Sequence, residues 1–344
     1  MIGFVLWGPK YVKNFLEYFL ASALAPQNLP ALGGKTFISI VTNTEGQSLI
    51  SQHPVFSEIQ KYAQIEFFIF DDCLISHLNY LRPDNLFYRI YGALDHTNYF
   101  FAREMNSDLF LLPVDSILAN GTLANMKRLI GLNYDCCGSA NLVAKLETFL
   151  PALDKMKSGL TLDIATEDLA TLAFQHMHQY LESQLMTHDN RNFGRWPREL
   201  FWLEENSVVA HSMYIHPLAL SRRIFKKDVV LTYNNVDADF VARVFNTPQD
   251  FARVRVLSAK EDGAYINNFA PDGRRFETTG TVFSDTSFLT AHLFSQPVHR
   301  FFFTQKQVIP YRSQHKSTPS SQDVGRIQGT LKRHFENQRE TNHV

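Results

Sequence analysis

Four apolar runs, IGFVLWG, KTFISIVTN, QIEFFIFDD and SDLFLLPVDS, set the strongest limit on how this chain can fold. Each is filled almost continuously with apolar residues rather than alternating with polar ones, which marks strands covered on both faces. Between them lie stretches with helical spacing. YVKNFLEYFLASAL reads as one helix, TEGQSLISQHPVFSEIQKYA as a helix pair broken before Pro54, and DNLFYRIYGALDHTNYFFAREMN as a long helix. Strand, helix, strand, repeated in this way, predicts an α/β protein with a mostly parallel sheet flanked by helices.

After the fourth run, GTLANMKRLIGL is expected as a helix and YDCCGSANLVA as another strand. The second half is less regular. TLDIATEDLATLAFQHMHQYLESQLM predicts one long helix, VVAHSMYIHPL a strand, and DVVLTYNNVDADFVARVF a lead into a helix. VRVLSAKEDGAYINNFAPDG predicts a short strand with a long loop. From Ser313 the chain is polar and poorly patterned, as expected of a mobile tail with a short basic helix. The expected division is an α/β half over 1–145, an α+β half over 146–312 and the tail over 313–344.

A length of 344 residues suffices for one large core or two lobes, and 45% apolar residues argue against overall disorder. The formal net charge of -1 provides no whole-protein field for nucleic acid, so no nucleic-acid partner is expected. Three cysteines, Cys73, Cys136 and Cys137, form no CxxC spacing and fit a reducing, cytoplasmic setting. No stretch of about 18 uncharged apolar residues occurs, so no transmembrane segment is expected, and peripheral membrane contact through the tail stays open. The segment MIGFVLWGPKYVKNF lacks the charged start and cleavage-type end of an export signal.

The chemistry candidates lie where the strands end, at WG, TN, FDD and PVDS, because open α/β sheets bind ligands beyond the carboxyl ends of their strands. No GxGxxG, GxxxxGK[ST], HExxH or GxSxG motif is present, which argues against dinucleotide, P-loop, zinc-protease and serine-hydrolase chemistry. What remains is a set of strand-end acids, Asp71, Asp72 and Asp115. Asp115 is either a ligand contact or the cap of the turn into NGTLANM, and Asp71 and Asp72 either function or cap the following segment. Thr42 and Asn43 suit a base or ribose, or else form a helix N-cap with Glu45 in the first turn. His211 and His216, five apart on one expected strand, would face opposite sides, so one is a base or phosphate contact and the other a core histidine. His176 and His178 do not have the spacing of a metal pair on a helix. Asp237 and Asp239 cap a helix or supply a general base. Trp196, Phe201 and Trp202 form a sugar-stacking floor or part of the core. Arg222, Arg223, Lys226 and Lys227 meet phosphates or solvent.

The order FVLWG, helix, FISIVTN, FFIFDD, long helix, LFLLPVDSILANGTL resembles GT-A-type nucleotide-sugar glycosyltransferases, and in particular a bacterial group of glycosyltransferase-like proteins. That resemblance implies a GT-A-like (Rossmann-like) fold with the nucleotide-sugar donor over residues 1–145 and a glycan, lipid-linked or protein acceptor over 146–312. It places the donor near Trp7, Gly8, Thr42, Asn43, Asp71 and Asp115, and implies Asp237 or His211 as proton acceptor if the reaction inverts. GT-A enzymes carry a DxD motif after the long helix that binds Mn²⁺ or Mg²⁺ and the diphosphate. Here Asp115 alone holds that place, with Ile117 at the position of the second acid. Two further readings stand beside the transferase. One is a catalytically silent GT-A-like module in an envelope or polysaccharide assembly complex. The other is a phosphoester hydrolase using Asp71, Asp72 and Asp115 around a metal.

Overall fold

The computed structural model describes residues 1–73, 76, 84–140, 142–186, 198–227, 236, 238–272 and 296–312. Its strands are β1 (Ile2–Val5), β2 (Thr36–Thr42), β3 (Ala63–Ile69), β4 (Leu109–Leu111), β5 (Ser116–Leu118), β6 (Cys136–Ser139) and β7 (Val143–Lys145), followed by β8 (Glu199–Glu204), β9 (Ser207–Ser212), β10 (His216–Leu220), β11 (Val254–Val256), β12 (Ile266–Ala270) and β13 (Gln307–Pro310). A seven-stranded central sheet has the order β11-β6-β10-β4-β1-β2-β3. The pairs β1–β2, β2–β3, β1–β4 and β6–β11 are parallel, and β10 runs antiparallel to both of its neighbours. The expected α/β class with a mostly parallel sheet holds, with one reversed strand in it.

Helices cover both faces of this sheet, as the apolar runs require. On one face Ile2, Phe4, Ile38, Ile40 and Phe110 pack against the helical stretch Pro9–Ala23 and the helix Thr122–Gly131. Phe4 meets Phe15 at 4.9 Å and Phe19 at 5.1 Å. On the other face Leu109, Leu111 and Leu220 pack against Tyr99 and Ala102 of the long helix Asp84–Glu104, and against Phe240 and Val241 of the helix Ala238–Val244. A buried amide locks the long helix to the sheet: Asn98 Nδ2 donates to the Phe4 carbonyl at 3.2 Å, and Ser39 Oγ donates to Asn98 Oδ1 at 2.6 Å.

Two smaller sheets, β5-β12-β7 and β13-β9-β8, share a second core with Phe149, Leu169, Phe201, Val208 and Phe269. Strands β10 and β11 lie beyond residue 145 in the chain but sit inside the central sheet, so the two halves interleave.

Several expected elements are broken, each for a local reason. SDLFLLPVDSILA is two strands in different sheets, parted at Pro113, which has no N–H to continue a ladder. The single helix expected over 161–186 stops at Gln175 and resumes at Gln179–Glu182. Its backbone turns out to meet β7, with Lys145 N donating to the His176 carbonyl at 2.7 Å and His178 N to the Val143 carbonyl at 3.2 Å. VVAHSMYIHPL is also two strands. Ser212 Oγ donates to the Tyr214 carbonyl (2.6 Å) and accepts from Tyr214 N (3.1 Å), closing the turn between β9 and β10. The long loop expected after β11 holds a short helix, Ala259–Asp262, and β12. The tail from Ser313 lies outside the described residues.

At Gly138 strand β6 lies close against β10. A Cβ there would lie 2.6 Å from the His216 carbonyl oxygen, a main-chain atom that cannot swing aside. Gly138→Ala is therefore expected to cost about 1–3 kcal/mol, read as a lower denaturant midpoint at unchanged slope. Gly131→Ala, in open space at the end of a helix, should be neutral or stabilising by up to about 1 kcal/mol.

Candidate functional site

The chain builds β1, β2 and β3 outward in one direction, then returns through the long helix and places β4 on the other side of β1. The carboxyl ends of β1 and β4 therefore flank a topological switch point, where open α/β sheets form a ligand crevice. Leu6 N still pairs with the Val41 carbonyl at 3.0 Å, and the chain then leaves the sheet at Trp7. Gly8 has φ 83°, a left-handed backbone that favours glycine, and Pro9 opens the following helix. Across the crevice the chain leaves β4 through Leu112, Pro113 and Val114. Asp115 is half-buried, and its carbonyl is fixed by Phe269 N at 2.9 Å.

The long helix supplies the rest. Tyr91, Asp95, Asn98 and Ala102 follow one another at helical spacing, and Asn98 and Ala102 meet the sheet. Tyr91 therefore lies nearer the carboxyl edge than Asn98. Its ring is 6.2 Å from Trp7, which also packs edge-on against Phe70 at 5.6 Å. Burial holds the Tyr91 hydroxyl well above its usual range, and the negative charges of Asp95 and Asp115 push it further. Trp7, Tyr91, Asp95 and Asp115 thus share one neighbourhood. Tyr91 and Asp95 escaped the reading of strand ends, and the signal that could have found them is a carboxylate on the inner stripe of a helix.

Of the other sequence candidates at this edge, Asn43 and Asp71 are tied up locally and Thr42 is not. Thr42 is fully buried, and its hydroxyl has no hydrogen-bond partner among the described residues. Asn43 caps the helix Thr44–Gln52 by accepting from Gly46 N at 3.0 Å, while its amide donates to Asp72 Oδ1 at 2.7 Å. Asp71 is exposed and accepts from Cys73 N at 2.9 Å, a bond that holds its carboxyl below the usual range.

The two histidines separate. His211 is buried on β9, stacked on Trp202 at 5.1 Å, with Nδ1 donating to the Phe303 carbonyl at 2.7 Å. Burial lowers its pKa below 6.5. These are the surroundings of a core histidine. His216, half-buried, opens β10 opposite Ser139. Because β10 is antiparallel, its first residue lies at the carboxyl edge of the parallel strands. Asp237 lies outside the described residues, as does Trp196, and Asp239 is exposed in the first turn of Ala238–Val244.

Phe201 and Trp202 are core residues, not a stacking floor. In the basic run, Arg223 binds Asp135 at 2.7 Å and Lys227 binds Asp250 at 2.7 Å, so both serve the scaffold. His178 caps Tyr180 N. All three cysteines are free. Among the described residues no group of three or more His, Cys, Asp or Glu side chains is arranged to hold a metal ion, and no helix is long and apolar enough to cross a membrane. The sequence matches no family model and no curated protein.

Burial lowers the pKa of His216 as well as that of His211. In the unfolded chain both titrate near 6.5, so the unfolded state binds more protons as pH falls. The two histidines are therefore expected to lower stability below pH 6.5, by at most about 1.4 kcal/mol per pH unit each, after an earlier loss between pH 8 and 6 from the N-terminal amine of Met1, which burial lowers from 8.0 to about 6. Denaturant unfolding from pH 8 to pH 5 checks this, and His211→Gln should flatten the slope.

Proposed function

We propose that this protein is a glycosyltransferase that takes a sugar from a nucleotide-sugar donor bound at the β1–β4 crevice. The observation that carries the reading is the Trp7–Tyr91 ring contact at the topological switch point of a mostly parallel sheet, with the negative charges of Asp95 and Asp115 both acting on Tyr91. An aromatic wall, a protonated phenol able to donate, and carboxylates suit a ligand with a flat ring, hydroxyls and a diphosphate. The resemblance of the LFLLPVDSILANGTL stretch to the metal-binding region of GT-A enzymes supports the same assignment.

Mg²⁺ is usually held by one or two carboxylates together with substrate phosphates. Asp115, with Asp95 acting on the same tyrosine, fits that modest requirement. Asp115 would hold the ion, and the ion would neutralise the diphosphate. Trp7 and Gly8 would border the donor, with Thr42 and Asn43 shaping the scaffold beneath it. A glycan, a lipid-linked sugar or a protein would approach as acceptor from the side built by the second half of the chain.

The single acid at the DxD place favours a second reading, a catalytically silent module that binds a glycan or partner in an envelope assembly complex. Donor binding followed by turnover separates the two.

A thermal-shift panel of UDP-, GDP-, CMP- and dTDP-sugars, each with and without Mn²⁺, tests the proposal. A donor at a hundredfold its dissociation constant should stabilise the fold by about 2.7 kcal/mol. The expected result is a shift with one nucleotide class that Asp115→Ala abolishes. Silence across the panel overturns the transferase reading.

A further inference from the structure

We propose that His216 is the general base of this site, the group that takes the proton from the acceptor hydroxyl in an inverting displacement. The inference rests on the transferase reading above. The sequence offered Asp237 and one of the two histidines, His211 or His216, and the resemblance pointed to Asp237 or His211. His211 is buried in the core with Nδ1 donating to the Phe303 carbonyl and Nε2 enclosed without a hydrogen-bond partner among the described residues, and Asp237 lies outside the described residues.

His216 is brought to the site by a reversal in the sheet. All the other strands of the central sheet with a chemical candidate at their carboxyl end run one way, and β10 runs against its two neighbours. Its first residue therefore stands level with the last residues of β4 and β6. The register pairs Leu220 with Leu109 and Ala219 with Phe110 on β4, and His216 with Ser139 on β6. Past the register shift between Pro217 and Ala219, His216 lies beyond the carboxyl end of β4 at Leu111, on the side from which the chain runs on to Asp115.

The backbone holds this placement firmly. Gly138 leaves no room for a Cβ against the His216 carbonyl, and Ser212 Oγ closes the turn that precedes it. As a residue His216 is half-buried at the edge of the sheet, whereas His211 is buried in the core. Its lowered pKa keeps it neutral, and hence able to accept a proton, at pH 7.

The step balances without a further reactant. The acceptor oxygen attacks the anomeric carbon, and a new carbon–oxygen bond forms. The bond from that carbon to the donor phosphate breaks, and its electron pair leaves with the nucleotide. The acceptor proton passes to a ring nitrogen of His216.

The test uses the full chain and whichever sugar nucleotide of the panel stabilises it, with water or an added monosaccharide as the hydroxyl donor. The readout is nucleotide release. In His216→Ala, release is expected to fall about 10²–10⁴-fold while the thermal shift with the donor persists, and free imidazole should restore part of the rate. His216→Asn, a milder change, should retain the shift and lose release to a similar degree.

Release at the wild-type rate in either variant overturns the inference and leaves the transferase reading intact. So does a loss that imidazole fails to restore in a variant that still binds donor, since that outcome assigns His216 a structural role. Donor binding by the wild type with no release overturns it as well, and favours the silent module. A wild type that binds no nucleotide overturns both proposals together.

Discussion

Strand β10 is hydrogen-bonded to β4 on one side and β6 on the other, and through it alone β6 and β11 join the rest of the central sheet. The strand is pinned at both ends. At the carboxyl edge Gly138 admits the His216 carbonyl with no space to spare. At the opposite edge Ser221 N donates to the Asp135 carbonyl at 2.8 Å. The buried Asp135 carboxylate is matched there by Arg223 at 2.7 Å and Arg253 at 2.8 Å. Removing one partner of such a buried pair leaves an uncompensated charge, so the amino edge tolerates little change. Between these clamps Leu218, Ala219 and Leu220 are fully buried and feed the cores on both faces.

The crevice depends on the same arrangement. It needs β1 and β4 side by side and the long helix laid across them. Asn98 fixes the height of the long helix by bonding Phe4 and Ser39, and Gly3 makes room for it, since a Cβ there would sit 2.7 Å from Asn98 Cγ. That height in turn determines where Tyr91 and Asp95 stand relative to Trp7 and Asp115. An inner-stripe carboxylate such as Asp95, 9% exposed, is costly unless its surroundings serve it. Here the negative charges of Asp95 and Asp115 both act on the buried Tyr91 hydroxyl and keep it protonated.

Much of the fold was legible in the chain. The unbroken apolar runs around Phe4, Ile38 and Phe110 announced strands covered on both faces, and each of the first helices falls where the spacing placed it. Of the site, Trp7, Gly8 and Asp115 could be located as strand ends. Asn43 and Asp71 looked equivalent to them in sequence, because a helix cap and a ligand contact draw on the same short polar residues. Only the bonds to Gly46, Asp72 and Cys73 separate the two roles.

By itself the sequence determined the local elements, because period and turn chemistry act over a few residues. It determined too that the sheet would be mostly parallel and buried on both sides. The tertiary structure alone decided that β10 runs backwards, that the apparent helix over 161–186 opens to pair with β7, and that His211 and His216 part company. Those outcomes turn on contacts between residues far apart in the chain, such as His216 with Ser139 and Lys145 with His176. A pattern read along the chain has no access to the partner across the sheet. Direction and register are fixed only when the unpaired N–H and C=O groups of one strand find those of another.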